Sequence, residues 1–600
     1  MQGCGLPQAW AGQPQWCVLE TGIGMGFNFL RTWQAWKADP DRPRILHFAA
    51  CEPLAVRPRD LLKAATALPG LLPLAQQLAA QWQGLLPGLH RLSFENGHVL
   101  LSLGIGDAQD MLKVQSLAAD SVFLTGLRPQ HPAPGWELNT IKAVARCCRR
   151  GTRLASREVA PVMLEGLKQC GFELIKSTGL PADAHMLHAL FNPGWEPKTP
   201  RQITRPLPSE AMRCVVIGAG LAGASCAASL ARRGWQVTVL DVRNAVAAGA
   251  SGLPAGMLAP HVSPDDSVLS RLSRQGLRAT WQTAHSQLRE GLDWQACGVL
   301  QRRFDSSGAL PPDWPEAGDF WSRIATAADG AMPAPDSALW HGAGGWIKPQ
   351  KLVQALLSGA GIRTCLGVDA AHLQRMPGTE PLWQVQTASG RCIAEATLVV
   401  LAAGFDSAAL LKSSQMDDSL TTAMPLQAIR GQLAWGAVPR DAILPASPVN
   451  GDGSFIPSFP APQGPASEPG QDLVPHWLMG ASFERDVSND DIKAEDQLVL
   501  LGRLRHLLPA TAASLTPAFE DGRALAWAGV RCASPDHLPL VGALDETDLP
   551  GVHICTALGS RGLTFAVLCA ELLAAWLHHE PLPLEKRLAN SLHANRFQKI

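Results

Sequence analysis

A chain of 600 residues with 46% hydrophobic content and a formal net charge of −1 is long enough for several packed cores and carries no global field that would gather nucleic acid or an anionic membrane. Its fourteen cysteines are scattered without a C-x-x-C pair, a pattern that excludes zinc-ribbon or thioredoxin-like spacing and reads as small buried hydrophobes in a reducing compartment. There is no tyrosine, so no chemical step can use a phenol.

The opening stretch MQGCGLPQAWAGQPQW has neither a charged n-region nor an apolar h-region, and no window of roughly 18 uncharged apolar residues follows it. The expectation is a soluble, cytoplasmic chain with no membrane partner and no metal. Residues 16–196 then alternate short apolar runs with helical patterns: WCVLETG, RILHFAACE, HVLLSLGIGD, SVFLTG and a helix-like NTIKAVARCCRRG. Such alternation predicts a parallel sheet with helices on both faces, and residues 1–196 are read as one domain.

Acids stand at the ends of three of these strands. The first runs into Glu20, a turn with Gly22, Gly24 and Gly26, and then a helix. Such a turn lets backbone amides meet the methionyl part of S-adenosylmethionine, with Glu20 toward its ammonium group. Glu52 closes the next strand, placed for both ribose hydroxyls, and Asp107 ends LGIGD, placed for the adenine amino group. The plainer alternative is an α/β scaffold with solvated acidic turns. The strand SVFLTG ends at Thr125, a hydroxyl where an acid would be more useful.

Residues 192–210, NPGWEPKTPRQITRPLPSE, are rich in proline and charge without apolar periodicity; they predict an exposed linker, centred on 197–211, before a second domain over 212–600. There RCVVIGAGLAGASCAASLARRGWQVTVLD places Gly218, Gly220 and Gly223 as G-x-G-x-x-G between a strand and a helix, and Asp241 ends the next strand 18 residues beyond the last glycine. The glycines allow a tight turn and close approach of a pyrophosphate, the helix N-terminus favours its charge, and Asp241 would take ribose hydroxyls. Further on, residues 456–477 are dense in Pro, Gly and Ser and predict a mobile surface insertion between two strands.

The spacing alone leaves NAD and FAD open. LVVLAAG, ending in Gly404, and ICTALGSRGLTFA, containing Gly559 and Gly562, resemble the second nucleotide-proximal strand and the flavin-facing glycine turn of flavoproteins, which favours FAD. GASGLPAGMLAP, GGWIKP, RGQL, WAGVRCASPDHLPLVG and GSRGLTFAVLCAELLAAWL are similar to the D-amino-acid oxidase and glycine oxidase fold family. In that order and wording they resemble the C-terminal half of MnmC, the family of bifunctional tRNA 5-methylaminomethyl-2-thiouridine biosynthesis proteins. From Gly5 to about Lys198 the chain resembles the methyltransferase half of the same family.

The resemblance implies an α/β architecture: a Rossmann-like methyltransferase domain, then an FAD-binding Rossmann domain with a second, mixed-sheet substrate subdomain. It implies FAD and S-adenosylmethionine as cofactors and tRNA, at the wobble uridine, as partner. The implied chemistry is removal of the carboxymethyl group from 5-carboxymethylaminomethyl-2-thiouridine, by hydride transfer from the α-carbon and imine hydrolysis, followed by N-methylation of the freed aminomethyl group. It sets Arg531 where a carboxylate-binding arginine is expected and Arg561 beside the flavin turn, with Arg430 as a third candidate whose plainer reading is a structural strand-edge or helical arginine.

Two departures bear on the methyltransferase half. Thr125 stands where the family reads FLDGF with an aspartate that would orient the nucleophilic amine, a role in which a neutral hydroxyl is a poor substitute; Thr125 thus marks a weakened site. The following RPQHPAPGW also departs from the family wording, and the chain begins almost at the cofactor strand where family members carry a further N-terminal segment. A second reading therefore keeps only the flavin half active, with the first half as a tRNA-binding or structural module; a third, less favoured, is a small-molecule amino-acid oxidase. Lys142 with Arg146, Arg149, Arg150 and Arg153 at a helix end, and Arg271, Arg274 and Arg278 at helical spacing, are either tracks for an RNA backbone or solvated helix faces.

Overall fold

The computed structural model describes residues 1–125, 138–157, 161–175, 186–196, 212–303, 310–329, 338–378, 381–414, 424–462 and 472–597. The expected linker 197–211 and the loop 128–136 lie outside the described residues. The chain divides into two compact units, Met1–Glu210 with Ala574–Ala589, and Ala211–Leu573 with Asn590–Ile600. Residues 574–589, which the sequence reading placed in the second domain, thus group with the first unit.

The first unit is built on eight strands: β1 (Gln15–Glu20), β2 (Ile45–Glu52), β3 (Gly88–Phe94), β4 (Val99–Ile105), β5 (Ala119–Leu124), β6 (Cys148–Ser156), β7 (Phe172–Ile175) and β8 (Leu187–Phe191), in the order β3-β4-β2-β1-β5-β6-β8-β7. The five strands from β4 to β6 are parallel. The edges are not: β3 runs antiparallel to β4, and β8 to β6 and β7. The β3–β4 hairpin follows from Glu95, Asn96 and Gly97, all at positive φ, a local reversal that apolar alternation does not announce. Strands β1, β2 and β5 are buried along nearly their whole length, as the near-continuous apolar runs of a centrally covered parallel sheet require. Phe29, Trp33, Phe48 and Phe94 pack on one face, and Leu19, Val122, Leu154 and Met163 on the other. Chain order reverses between β1 and β5, so their carboxyl ends open the crevice in which such sheets bind ligands.

The second unit carries a six-stranded sheet in the order Ile362–Leu366, Gln236–Asp241, Arg213–Ile217, Leu398–Leu401, Val552–Thr556, Leu540–Ala543, parallel except for its last pair. A nine-stranded sheet beside it includes Val299–Gln301, Gln427–Ala437, Gly453–Pro462, Leu473–Gly480 and Leu525–Ala533. Much of the expected insertion 456–477 is strand: the antiparallel ladder runs out to Pro462 opposite Leu473, and only 463–471 lie outside the described residues. Pro457 falls where the ladder slips between Ile456 and Phe459, the kind of irregularity at which a missing amide costs little.

One helix, Gly559–His578, is long and apolar enough to cross a membrane, and 67% of its apolar window is buried within the fold. The sequence reading set no such stretch apart, because Arg561 and Glu571 interrupt it. Glu571 is held there by Arg233 at 3.1 Å, by Arg232 and by the Ser229 hydroxyl at 2.6 Å. Burial opposes ionisation of Glu571, but the two guanidiniums and the hydroxyl prevail and hold its carboxyl well below the usual range. Because the folded value is depressed, this stabilisation is present above the unfolded carboxyl range and disappears as pH falls through the folded value. Glu571→Gln would strand the buried Arg233; we expect a loss of about 3 kcal/mol from the second unit at neutral pH and a gap from wild type that narrows in acid, both read by thermal melting against pH.

Candidate active sites

The turn after β1 is knotted to the end of β5. Thr125 donates its hydroxyl to the Gly22 carbonyl at 2.8 Å and accepts from the Gly22 amide at 3.2 Å. In return the Thr21 hydroxyl donates to the Thr125 carbonyl at 2.9 Å and accepts from its amide at 3.0 Å. Gly24 and Gly26 have φ of 52° and 75°, the left-handed region that glycine enters without strain. They swing the chain into the helix Phe27–Ala38, whose first turn aims Asn28 at Glu20.

Glu20 is 1% exposed. Its Oε1 accepts from Asn28 Nδ2 at 2.6 Å and lies 3.3 Å from the Thr125 hydroxyl, while its Oε2 has no partner among the described residues. Burial is the chief cause that pushes this carboxyl up to about 8, against the Asn28 and Thr125 hydrogen bonds. An orphaned, buried oxygen beside a glycine turn suits a cationic group such as the ammonium of S-adenosylmethionine. Glu52 sits at the neighbouring strand end, and its Oε2 accepts the Gly24 amide at 2.8 Å. Asp107 is exposed and caps the helix Ala108–Val114, accepting the Gln109 and Asp110 amides at 2.9 and 3.2 Å through Oδ1; that cap alone accounts for an acid there.

In the second unit, a Cβ on Gly218 would strike the Ala402 carbonyl, and one on Gly223 would strike the Gly218 carbonyl. These are close backbone approaches that only glycine permits. Gly220 caps the helix Leu221–Arg232 without a side-chain cap, leaving its first turn suited to a pyrophosphate. Asp241 accepts the Ala219 amide at 2.7 Å and the Arg243 amide at 2.8 Å, one on each oxygen, so it braces the glycine loop it follows. Gly404, at φ 62°, accepts the Thr556 hydroxyl at 3.0 Å. Gly559, at φ 57°, opens the short turn that leads through Arg561 to Gly562 at the helix start.

A cavity of about 930 Å3 is lined by Leu221, Ala250, Gly559, Gly562, Arg531 and Arg561, among others. Arg531 donates from Nη1 to the Ser560 hydroxyl at 2.9 Å and from Nη2 to the Ser482 carbonyl at 3.0 Å, with its guanidinium over the Phe483 ring. Burial lowers the pKa of both Arg531 and Arg561. Neither meets a carboxylate among the described residues, so both guanidiniums face whatever enters, in a wall that also carries Arg302, Arg303 and Asp452. Arg430 is different: it is fully buried and spent on Asp496 at 2.6 Å, Glu484 at 3.2 Å, Gln432 and the Asp491 carbonyl, which makes it a structural arginine.

The first basic cluster does not fall on one helix, and the second, on the helix Val268–Gln287, has two of its three arginines buried. Only Lys142 and Arg146 are on the helix Leu138–Arg146; Arg149, Arg150 and Arg153 are on β6, where Arg149 pairs with Asp120 and Arg150 binds Asn192 and the Pro193 carbonyl. Arg274 and Arg278 are each 7% exposed; the first pairs with Asp266 at 2.7 Å and the second covers the Trp321 ring. Sequence reasoning also passed over Asn28, which fixes Glu20, and Gly431, whose Cβ would occupy the place of the Arg531 guanidinium. Gly431 lies in RGQL, directly after Arg430. Among the described residues no group of three or more His, Cys, Asp or Glu could hold a metal ion.

The model of the FAD dependent oxidoreductase family matches residues 213–576, and that of the S-adenosyl-L-methionine-dependent methyltransferase family matches residues 69–192. A curated relative from Polaromonas sp. (strain JS666 / ATCC BAA-500), the tRNA 5-methylaminomethyl-2-thiouridine biosynthesis bifunctional protein MnmC, is 53% identical over 99% of this chain and 92% of its own length. The chain belongs to the MnmC family. A second MnmC, from Polaromonas naphthalenivorans (strain CJ2), is 50% identical over 100% of this chain and 93% of its own; a third, from Cupriavidus necator, is 36% identical over 99% and 92%. Among solved structures, L-proline dehydrogenase from P. horikoshii matches with a TM-score of 0.49 and 16% identity over 65% of this chain and 98% of that one. FAD and S-adenosylmethionine are the cofactors of the two halves.

Because the folded Glu20 carboxyl titrates near 8 and the unfolded one near 4.5, the unliganded first unit binds more protons than its unfolded chain between those values, and its stability falls as pH rises through them. Glu20→Gln is expected to flatten that slope in melting experiments without cofactor; an unchanged slope would assign it to another group.

Proposed function

We infer that this chain is a bifunctional tRNA-modifying enzyme of the cytoplasm. Its second unit removes the carboxymethyl group from 5-carboxymethylaminomethyl-2-thiouridine at the wobble position, and its first unit methylates the freed amine. The observation that carries the reading is the cavity in which Arg531 and Arg561 stand without a carboxylate, in a chain whose relatives are named for this modification.

Arg531 is suited to take the substrate carboxylate. Two of its five N–H groups are committed to Ser560 and Ser482, which fixes the plane of the guanidinium and leaves N–H groups for a charge-assisted contact. Arg531 and Arg561 also disfavour a protonated amine on a substrate held beside them, because like charges at close range lower its pKa. The neutral amine is the form whose α-carbon can lose a hydride, and acceptance of that hydride is the chemistry FAD supplies when bound. The imine left on the substrate is then hydrolysed, giving the aminomethyl nucleoside.

In the first unit Glu20 and Glu52 flank the glycine turn and would hold the ammonium and ribose ends of S-adenosylmethionine, with Thr125 locking that turn in place. Thr125 also favours a second reading. Its hydroxyl is engaged by both polar groups of Gly22 and offers no base to the incoming amine, as expected if the first unit only binds tRNA.

Nucleoside mass spectrometry separates the two. Undermodified tRNA incubated with the full chain and FAD should yield the aminomethyl nucleoside, and adding S-adenosylmethionine should convert it to the methylaminomethyl form. Arrest at the aminomethyl stage would establish the second reading, and no change at all would refute both. Gly431→Ala, by pushing the Arg531 guanidinium aside, should lower carboxymethyl removal by about a hundredfold, the typical effect of misplacing a positioning group by an ångström, with bound flavin unchanged by absorbance.

A further inference from the structure

The same cavity has a polar wall that the carboxylate and the flavin-side glycines do not use. Gln301 ends the strand Val299–Gln301 and lines the cavity beside Asn450 on the neighbouring parallel strand. Its amide is fixed from behind. Gln301 Oε1 lies 2.7 Å from His341 Nε2, and His341 Nδ1 lies 2.8 Å from the Ser322 hydroxyl. His341 and Ser322 are both 0% exposed, and the antiparallel register between Val299–Gln301 and Leu339–His341 holds the imidazole under the cavity wall.

The proton positions follow from that arrangement. Burial lowers the His341 pKa to about 4, so the ring is neutral at physiological pH and carries one N–H. The ring also meets the Trp321 carbonyl; the Gln301 oxygen facing Nε2 assigns the proton to Nε2, which donates to Gln301, with Nδ1 accepting from the Ser322 hydroxyl. The oxygen of the Gln301 amide is therefore committed. What remains for the cavity is its NH2 group, a donor with no acceptor among the described residues.

We propose that Gln301, oriented by the buried Ser322–His341 pair, reads the pyrimidine base by donating to the 4-carbonyl of the wobble uracil. This rests on the function proposed above and names how the base is chosen at the same site. The 4-carbonyl adjoins C5, the carbon that bears the reacting arm, so it is the base acceptor nearest the chemistry once the carboxylate is on Arg531. A cytosine at that place would present an amino group at C4, two donors would face each other, and the committed oxygen of Gln301 could not turn to accept. The Ser322–His341 pair thus acts as a positioning device that keeps Gln301 from serving both bases.

The test compares two substrates on the full, FAD-loaded chain: tRNA carrying 5-carboxymethylaminomethyl-2-thiouridine, and N-methylglycine, which keeps the carboxymethylamine and lacks the base. Gln301→Met preserves the length and packing of the side chain and removes the donor. We expect its kcat/KM to fall about tenfold more on tRNA than on N-methylglycine, the worth of one neutral hydrogen bond, with the change mainly in KM. Gln301→Glu, which turns an acceptor toward the 4-carbonyl, should lose more on tRNA than Gln301→Met does. Equal losses on both substrates, or no loss on tRNA, would overturn the proposal. A wild-type chain that turns over N-methylglycine but leaves the tRNA untouched would overturn the functional reading itself, a distinct result. His341→Leu, with bound flavin verified by absorbance, should show the same tRNA-selective loss, and a loss common to both substrates would mark His341 as a packing residue only.

Discussion

Close approach of one backbone to another, at places where a single methyl group would not fit, is the constraint on which the second unit depends. The Gly223 contact with the Gly218 carbonyl brings the first helix down on its strand, and the Gly218 contact with Ala402 brings the next strand end to the same point. Without both, the helix N-terminus would stand away from the strand ends, and the glycine turn could not offer its amides to a pyrophosphate. Asp241 completes the arrangement by accepting the Ala219 amide. Gly431 repeats the device further along: the space under that residue is the space in which Arg531 lies.

Charge is divided between the fold and the cavity by whether a partner is present. Arg430 and Arg233 are nearly without exposure and each is matched to carboxylates, which a buried cation needs to be tolerated. Arg531 and Arg561 are only half-buried and are matched to none among the described residues. The same residue type thus serves two ends, and the difference lies in neighbours brought from distant parts of the chain: Asp496 is 66 positions from Arg430 and Glu571 is 338 from Arg233.

That distance sets what could be read in advance. Both glycine turns and the strands that lead into them were legible because each strand lies within a few residues of its glycines, where spacing and conformation are one fact. The antiparallel strands β3 and β8 were not, because antiparallel pairing is decided by a turn and by what is left uncovered on the sheet. The arginines show the limit most clearly. Helical spacing suggested that Arg274 and Arg278 face solvent, yet they are buried against Asp266 and Trp321; Asp266 is eight residues before Arg274, but Trp321 is 43 residues beyond Arg278. Gln301 carried no signal at all; its role depends on a histidine forty residues later.

The return of residues 574–589 to the first unit bears on the order in which the protein is made. His47 on β2 faces Glu580 at 3.6 Å, Arg91 on β3 donates to the Pro581 carbonyl at 2.6 Å, and Gln15 on β1 donates to the His578 carbonyl at 3.1 Å. Those partners leave the ribosome on the order of 360 residues after Glu210, which at about 5–20 residues per second is a wait on the order of tens of seconds. During synthesis the amino-terminal sheet therefore stands with its last segment missing while the flavin-binding strands are still being made. A fragment ending near the linker would keep that state permanently, so an amino-terminal half expressed by itself is a different object from the same residues within the full chain.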